Sequence, residues 1–277
     1  MGDSNSSKNL VGIFDSGVGG LSVLREIRAL LPSQPLLYFG DQAHVPYGKR
    51  QLSEIQEFSF SITHYLLDAG ARLIVVACNT ASAAALKALR LKFPDVPFVG
   101  MEPAVKPASR QTHNGVVGVL ATPATFQGEL YNTLVEKFAR DVKILTSTLP
   151  GLVEEIENGR LDSPKTRSIL EEAILPMMAQ GADTFVLGCT HFPFVLPLIR
   201  EIAGPQVNVI DPAPAIARRT QALLQERGWE NPRAESAPLA FATSGDREKF
   251  AQITRNLLGI RSDPVKLSWD GMFLNAN

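Results

Sequence analysis

The chain has 277 residues, of which 45% are hydrophobic and 20% charged, with Lys+Arg 27 against Asp+Glu 28. That balance fits a globular protein and excludes a disordered chain. The net charge of −1, with no long basic run, gives no electrostatic footprint for nucleic acid, and no apolar run approaches the length of a membrane span.

Met1 to Lys8 is polar and Ser-rich. It has no basic region leading into an apolar core, so a frayed leader is expected there rather than a secretory signal. Leu10 to Phe14 then reads as a buried strand, Asp15 to Gly20 as a Gly-rich turn, and Leu21 to Leu31 as a helix closed by Pro32. Pro35 to Gly40 is a second strand and Asp41 to Lys49 a loop. Ser53 to Asp68 carries a helical apolar stripe, with Ser53 as candidate cap. Arg72 to Ala77 is a third strand, Thr80 to Leu91 a helix, and Val96 to Gly100 a fourth strand. Met101 to Ser109, with two prolines, is expected to cross between domains.

A second series follows. Gly115 to Leu120 is a strand, and Thr122 caps a helix that opens at Pro123 and runs to Ala139. Val142 to Leu145 is a strand, and Leu149 to Asn158 and Ser163 to Gln180 are helices. Thr184 to Leu187 is a strand, followed by a helix from Phe194 to Ile202. Val207 to Ile210 and Leu239 to Thr243 are strands, each followed by a helix, to Arg227 and from Arg247 to Leu258. Strands alternating with helices predict an α/β fold with mainly parallel sheets.

Two stretches of this series resemble one another. Gly70-Ala71 and Gly181-Ala182 each open a mostly apolar run that ends, eight residues after the Gly, in Cys78 and Cys189, the only two cysteines. The cysteines are 111 residues apart, and the strand glycines Gly12 and Gly118 are 106 apart. These offsets suggest a duplicated α/β unit. The last two strand–helix units would then return to the first half. The expected division is residues 1–100 with 210–277 as one domain and 101–209 as the other.

Ligands of open α/β sheets bind beyond the carboxyl ends of the strands. The sequence places Asp15-Ser16, Cys78-Asn79-Thr80, Thr122 and Cys189-Thr190-His191 there. Asp15 could equally cap the next helix, a free Cys is more often a core residue, and Gly17–Gly20 is not a dinucleotide fingerprint. His44, His64 and His113 read as non-catalytic. Two cysteines so far apart do not make a zinc-ligand pattern, no C-x-x-C is present, and a chain without a signal implies a reducing, cytoplasmic setting with free thiols. Two isolated thiols facing across a cleft can move protons, one removing a proton from carbon and the other delivering one to the opposite face.

Gly12-Ile13-Phe14-Asp15-Ser16-Gly17-Val18-Gly19-Gly20, Tyr38-Phe39-Gly40-Asp41 with Pro46-Tyr47-Gly48, Ala77-Cys78-Asn79-Thr80, Gly118 to Thr122, Leu187-Gly188-Cys189-Thr190-His191-Phe192-Pro193 and Thr243-Ser244-Gly245-Asp246 together resemble the motif series of bacterial glutamate racemases, across residues 10 to about 258. The resemblance implies two pseudo-symmetric α/β domains, each a mainly parallel sheet flanked by helices, with the active site in the cleft between them. It implies cofactor-independent interconversion of L- and D-glutamate for peptidoglycan, with no metal, nucleic acid or membrane partner. It is compatible with a homodimer. Cys78 and Cys189 would be the acid/base thiols, acting on the D- and L-enantiomer respectively. Asp15 and His191 would assist them, and Glu154, or the adjacent Glu155, would support His191. Asp15, Ser16, Tyr47, Gly48, Asn79, Thr80, Thr122 and Thr190 would contact substrate. Aspartate or hydantoin racemases, and a non-catalytic regulator on the same scaffold, are the competing readings. Substrate entry between the domains predicts hinges near Met101–Ser109 and Val209–Pro214.

Overall fold

A computed structural model describes residues 9–231 and 237–276; the expected leader, Met1 to Lys8, lies outside them. The chain runs β1 (Leu10–Asp15), α1 (Leu21–Leu30), β2 (Leu36–Gly40), α2 (Leu52–Asp68), β3 (Ala71–Val76), α3 (Asn79–Lys92), β4 (Phe98–Gly100) and α4 (Val105–Gln111). It continues through β5 (Val116–Ala121), α5 (Pro123–Gln127), α6 (Glu129–Phe138), β6 (Lys143–Ser147), α7 (Leu152–Glu157), α8 (Pro164–Ala179), β7 (Thr184–Gly188), α9 (Leu196–Ala203) and β8 (Asn208–Ile210). It ends with α10 (Ala213–Glu226), β9 (Leu239–Thr243), α11 (Arg247–Leu258), β10 (Val265–Asp270) and β11 (Phe273–Ala276).

The strands form two sheets, ordered β11-β10-β9-β2-β1-β3-β4 and β6-β5-β7-β8. Every pairing is parallel except β10 with β11. The runs β2-β1-β3-β4 and β6-β5-β7-β8 repeat one topology, so β3 and β7, the strands that precede Cys78 and Cys189, are equivalent. In each run the strand order reverses beside the first strand, between β1 and β3 and between β5 and β7. Clefts open at such reversals. β1 and β7 are apolar and buried along almost their whole length, as parallel strands covered on both faces must be.

Several expectations are corrected. β8 pairs with β7 in the second sheet, while α10, which follows it, packs on α1 of the first. The unit expected to return to the first half therefore splits between the two. One apolar cluster joins Val11, Ile13 and Leu24 to Leu152, Phe192 and Leu224, so the halves share core along that side. The helix expected from Pro123 to Ala139 breaks at Gly128, whose backbone is extended. The Pro-rich crossing contains α4, because Pro107 falls in its first turn, where no N–H is required. Ser53 does not cap α2, which starts one residue earlier after Gln51. Thr122 does cap α5, with its hydroxyl accepting from Thr125 N–H. No helix among the described residues is long and apolar enough to cross a membrane.

Candidate active site

Asp15, Cys78, Thr122 and Cys189 stand at or just beyond the carboxyl ends of β1, β3, β5 and β7, so the chemistry-bearing residues of both sheets converge on one seam. Both thiols are free and buried, at 5% and 6% exposure. Cys78 sits at the N-cap of α3, where its sulfur accepts the Ala81 N–H at 3.4 Å, and its thiol points to Ser16 Oγ at 3.8 Å. Burial pushes this thiol far above its ordinary pKa, and the nearby charges of Asp15 and Cys189 push the same way. Cys78 is thus held as a protonated thiol, close enough to Cys189 to feel its charge.

Cys189 has a different environment. His191 Nδ1 lies 3.7 Å from its sulfur, and His191 Nε2 lies 2.7 Å from Glu157 Oε1. Burial alone would lower the imidazole's pKa. The hydrogen bonds and charges of Cys189 and Glu157 outweigh it and raise His191 well above its ordinary value. Burial would likewise raise Glu157, but its bonds to His191, the Val18 N–H and Gln42 keep it below the usual carboxylate range. The result is an imidazolium clamped between the Glu157 carboxylate and the Cys189 sulfur.

The acid behind His191 corrects the expectation. Glu154 is 38% exposed and pairs with Lys49 at 2.6 Å, while Glu155 faces Arg160 and Lys165. Glu157, three residues on from Glu154, turns inward. No local spacing marks it, because its partner His191 is 34 residues away.

Asp15 is fully buried, and burial raises its pKa. Its Oδ1 accepts the Gly17 N–H at 2.8 Å, and its Oδ2 accepts the Thr190 hydroxyl of the other half at 3.0 Å. It caps no helix. Thr80 and Thr122 join hydroxyls across the seam at 2.8 Å. Asn79 is buried, yet neither atom of its side-chain amide has a partner. A buried amide left so costs free energy unless a ligand satisfies it. Tyr47 and Gly48 lie in a tight turn, Tyr47–Lys49, against the same seam. The Tyr47 hydroxyl is taken by Asp41 at 2.6 Å, so this residue offers the cleft its backbone. Gly48 meets Thr122 so closely that a Cβ there would lie 2.8 Å from the threonine Cβ. Asp41, a member of the motif series to which the sequence assigned no role, gathers donors from His44, Tyr47, Ser244 and Trp269 and fixes the loop that carries Gly48.

A family model described as Asp/Glu/hydantoin racemase matches residues 20–220. The chain is 49% identical to the glutamate racemase of Roseiflexus sp. (strain RS-1) over 255 residues, 92% of this chain and 94% of that protein. Among solved structures, a glutamate racemase isoform from Bacillus anthracis superposes with a TM-score of 0.85 at 31% identity, covering 96% of this chain and 98% of the other. The Escherichia coli glutamate racemase, solved in complex with L-glutamate and an activator, superposes with a TM-score of 0.83 at 36% identity, over 95% of this chain and 100% of the other.

Proposed function

The chain belongs to the Asp/Glu/hydantoin racemase family, and from that membership we propose that it interconverts L- and D-glutamate by passing the α-proton between Cys78 and Cys189. The observation that carries this reading is the placement of two buried thiols at equivalent strand ends of two like sheets, with opposite electrostatic settings. In the L-to-D direction the Cys189 thiolate takes the α-proton. The electron pair moves toward the α-carboxylate, and the Cys78 thiol delivers its proton to the opposite face. The product leaves Cys189 as thiol and Cys78 as thiolate, which is the state that acts on D-glutamate.

A carbanion of this kind needs preorganised donors where charge develops. The Asn79 amide, the first N–H groups of α3 and the hydroxyls of Ser16, Thr80, Thr122 and Thr190 supply them. The turn at Tyr47 and Gly48 offers backbone N–H groups to the side-chain carboxylate. Asp15 serves Cys78, and the Glu157–His191 pair serves Cys189. No cofactor enters this scheme. Residues 1–100 with 210–277, and 101–209, part to admit substrate, since the thiols are nearly closed off from solvent in the described conformation. D-glutamate made in the cytoplasm for peptidoglycan is the role we assign, in a monomer or a homodimer.

Incubation of the protein with L-glutamate and with L-aspartate separately, followed by circular dichroism, tests the substrate. Loss of signal with glutamate alone supports the proposal. Loss with aspartate alone would replace glutamate as the substrate, and loss with neither would favour a non-catalytic regulator.

A further inference from the structure

Glu157 belongs to the second half, yet two of its hydrogen bonds come from the first. Its Oε1 accepts the Val18 N–H at 2.8 Å, and its Oε2 accepts the side-chain amide of Gln42 at 3.2 Å. Gln42 is not a side chain that happens to drift past. The Thr243 hydroxyl, at the end of β9, donates to the Gly40 carbonyl at 3.0 Å and lies 3.3 Å from Gln42 Oε1. Gly245 leaves the space Gln42 occupies, since a Cβ there would come 2.6 Å from Gln42 Cβ. On its outer side the pair borders a cavity of about 340 Å³, lined also by Val45, Glu154, Asp246 and Lys249. Gln42 and Glu157 thus form part of the cavity wall together, with the amide holding the carboxylate at its edge.

We propose that Gln42 is a positioning residue for the reaction: its amide fixes the Glu157 carboxylate against His191, so that closing the two halves is what completes the base that serves Cys189. This rests on the two-thiol reading above. Parting the halves removes both first-half donors from Glu157 together, and the carboxylate is then solvated and less firmly aimed. The thiolate partner is therefore assembled with substrate enclosed, where a charged nucleophile is otherwise costly to hold.

The titratable groups around this pair are known. Glu157 faces His191 directly, and its charge raises Asp15 and Tyr38 on the first-half side. Glu154, itself paired with Lys49, together with Asp246 and Lys249, surrounds the outer cavity. Replacing Gln42 by methionine keeps the volume and the net charge and removes the donor to Glu157 together with the amide oxygen beside Thr243. Glu157 then binds its proton more readily, and His191 releases its own more readily. The pH window of kcat/KM consequently narrows from both sides.

The experiment measures kcat/KM for both enantiomers of glutamate against pH in wild type and Gln42→Met, with α-deuterated L- and D-glutamate as further substrates. Because a racemase has an equilibrium constant of one, kcat/KM falls equally in both directions, by roughly tenfold for a lost hydrogen bond to a charge. The isotope effect distinguishes the steps. It grows for L-[2-²H]glutamate, whose proton Cys189 removes, and shrinks for the D-enantiomer. Gln42→Glu, which sets a second carboxylate against Glu157, moves both readouts further and keeps the test open if the methionine variant melts early. A uniform loss of rate with unmoved pH limbs and unmoved isotope effects overturns the proposal. Racemisation that survives Cys189→Ala overturns the two-thiol reading instead, whatever Gln42→Met does.

Discussion

The hydroxyl of Thr190 donates to Oδ2 of Asp15 at 3.0 Å, from the end of β7 in one sheet to the end of β1 in the other. One bond thus joins the residue after the second thiol to the carboxylate that faces the first. It also keeps a fully buried acid in the middle of the seam, at a cost set by desolvation.

That cost gives the first prediction. A group whose folded pKa is raised, as that of Asp15 is by burial, contributes stability present below the unfolded value and lost as pH rises through the folded one. At neutral pH the buried carboxylate is therefore a liability. Asp15→Asn, whose amide can still hydrogen-bond Thr190, should raise the melting temperature at pH 7 to 8 and narrow the gap toward zero near pH 4. The same variant should lose racemase activity by about 100-fold, in the range of a removed acid–base participant. Thermal melts across that pH range, paired with rates, check both halves.

Glu157 and Glu154 separate cleanly by mutation. Glu157→Gln removes the anion that clamps His191 and should lower kcat/KM by roughly 100-fold. Glu154→Gln, on the exposed Lys49 pair, should leave it within about twofold, since such pairs contribute little. The stability profile changes as well. His191, raised by its partners, contributes stability that fades as pH rises through its folded value, and Glu157, lowered, contributes stability that fades as pH falls through its own. In wild type the pair's contribution is full between the unfolded values of the carboxylate and the imidazole, about 4.3 and 6.5, and in Glu157→Gln that plateau should disappear from melts taken between pH 4 and 9.

Gly48 has no room for a side chain in the closed conformation. Its added Cβ would press on Thr122, so Gly48→Ala should hold the halves slightly apart. Activity should fall by about tenfold through misplaced substrate, with little change in melting temperature, because the strain is relieved on opening. A fall in stability equal to the fall in activity would point to a folding defect instead.

Trp269 ties the β10–β11 hairpin to the loop that carries Tyr47 and Gly48 through its indole N–H, 2.8 Å from Asp41 Oδ1. Trp269→Phe deletes one hydrogen bond to a buried acid and should cost about 2 kcal/mol, or roughly 4–8 °C in melting temperature for a chain of this size. Denaturant titration measures it directly.

Much of this site was legible because parallel strands are apolar on both faces, so a polar or reactive residue after such a run has to be at its end. That is how Asp15, Cys78, Thr122 and Cys189 could be found from the chain alone. Glu157 could not, since what distinguishes it from Glu154 is the orientation of α7 against His191. The β10–β11 hairpin was missed for a related reason. Val265 to Asp270 is exposed at both ends and half-buried between, with only Leu267 fully buried, and its turn at Gly271 has a φ of +57°. Edge strands of this sort carry no continuous apolar run. The break at Gly128 follows from tertiary contact: the chain there passes against Ala83 of α3, which a helical pattern in Pro123 to Ala139 does not reveal.

The most direct measurement is proton exchange at the α-carbon. L-glutamate incubated in D₂O with wild-type protein, followed by proton NMR and chiral separation, should yield D-glutamate carrying deuterium at Cα. The two-thiol mechanism predicts that Cys78→Ala and Cys189→Ala each abolish that product while keeping the fold. Deuterated D-glutamate formed at a rate near wild type by either alanine variant would contradict it.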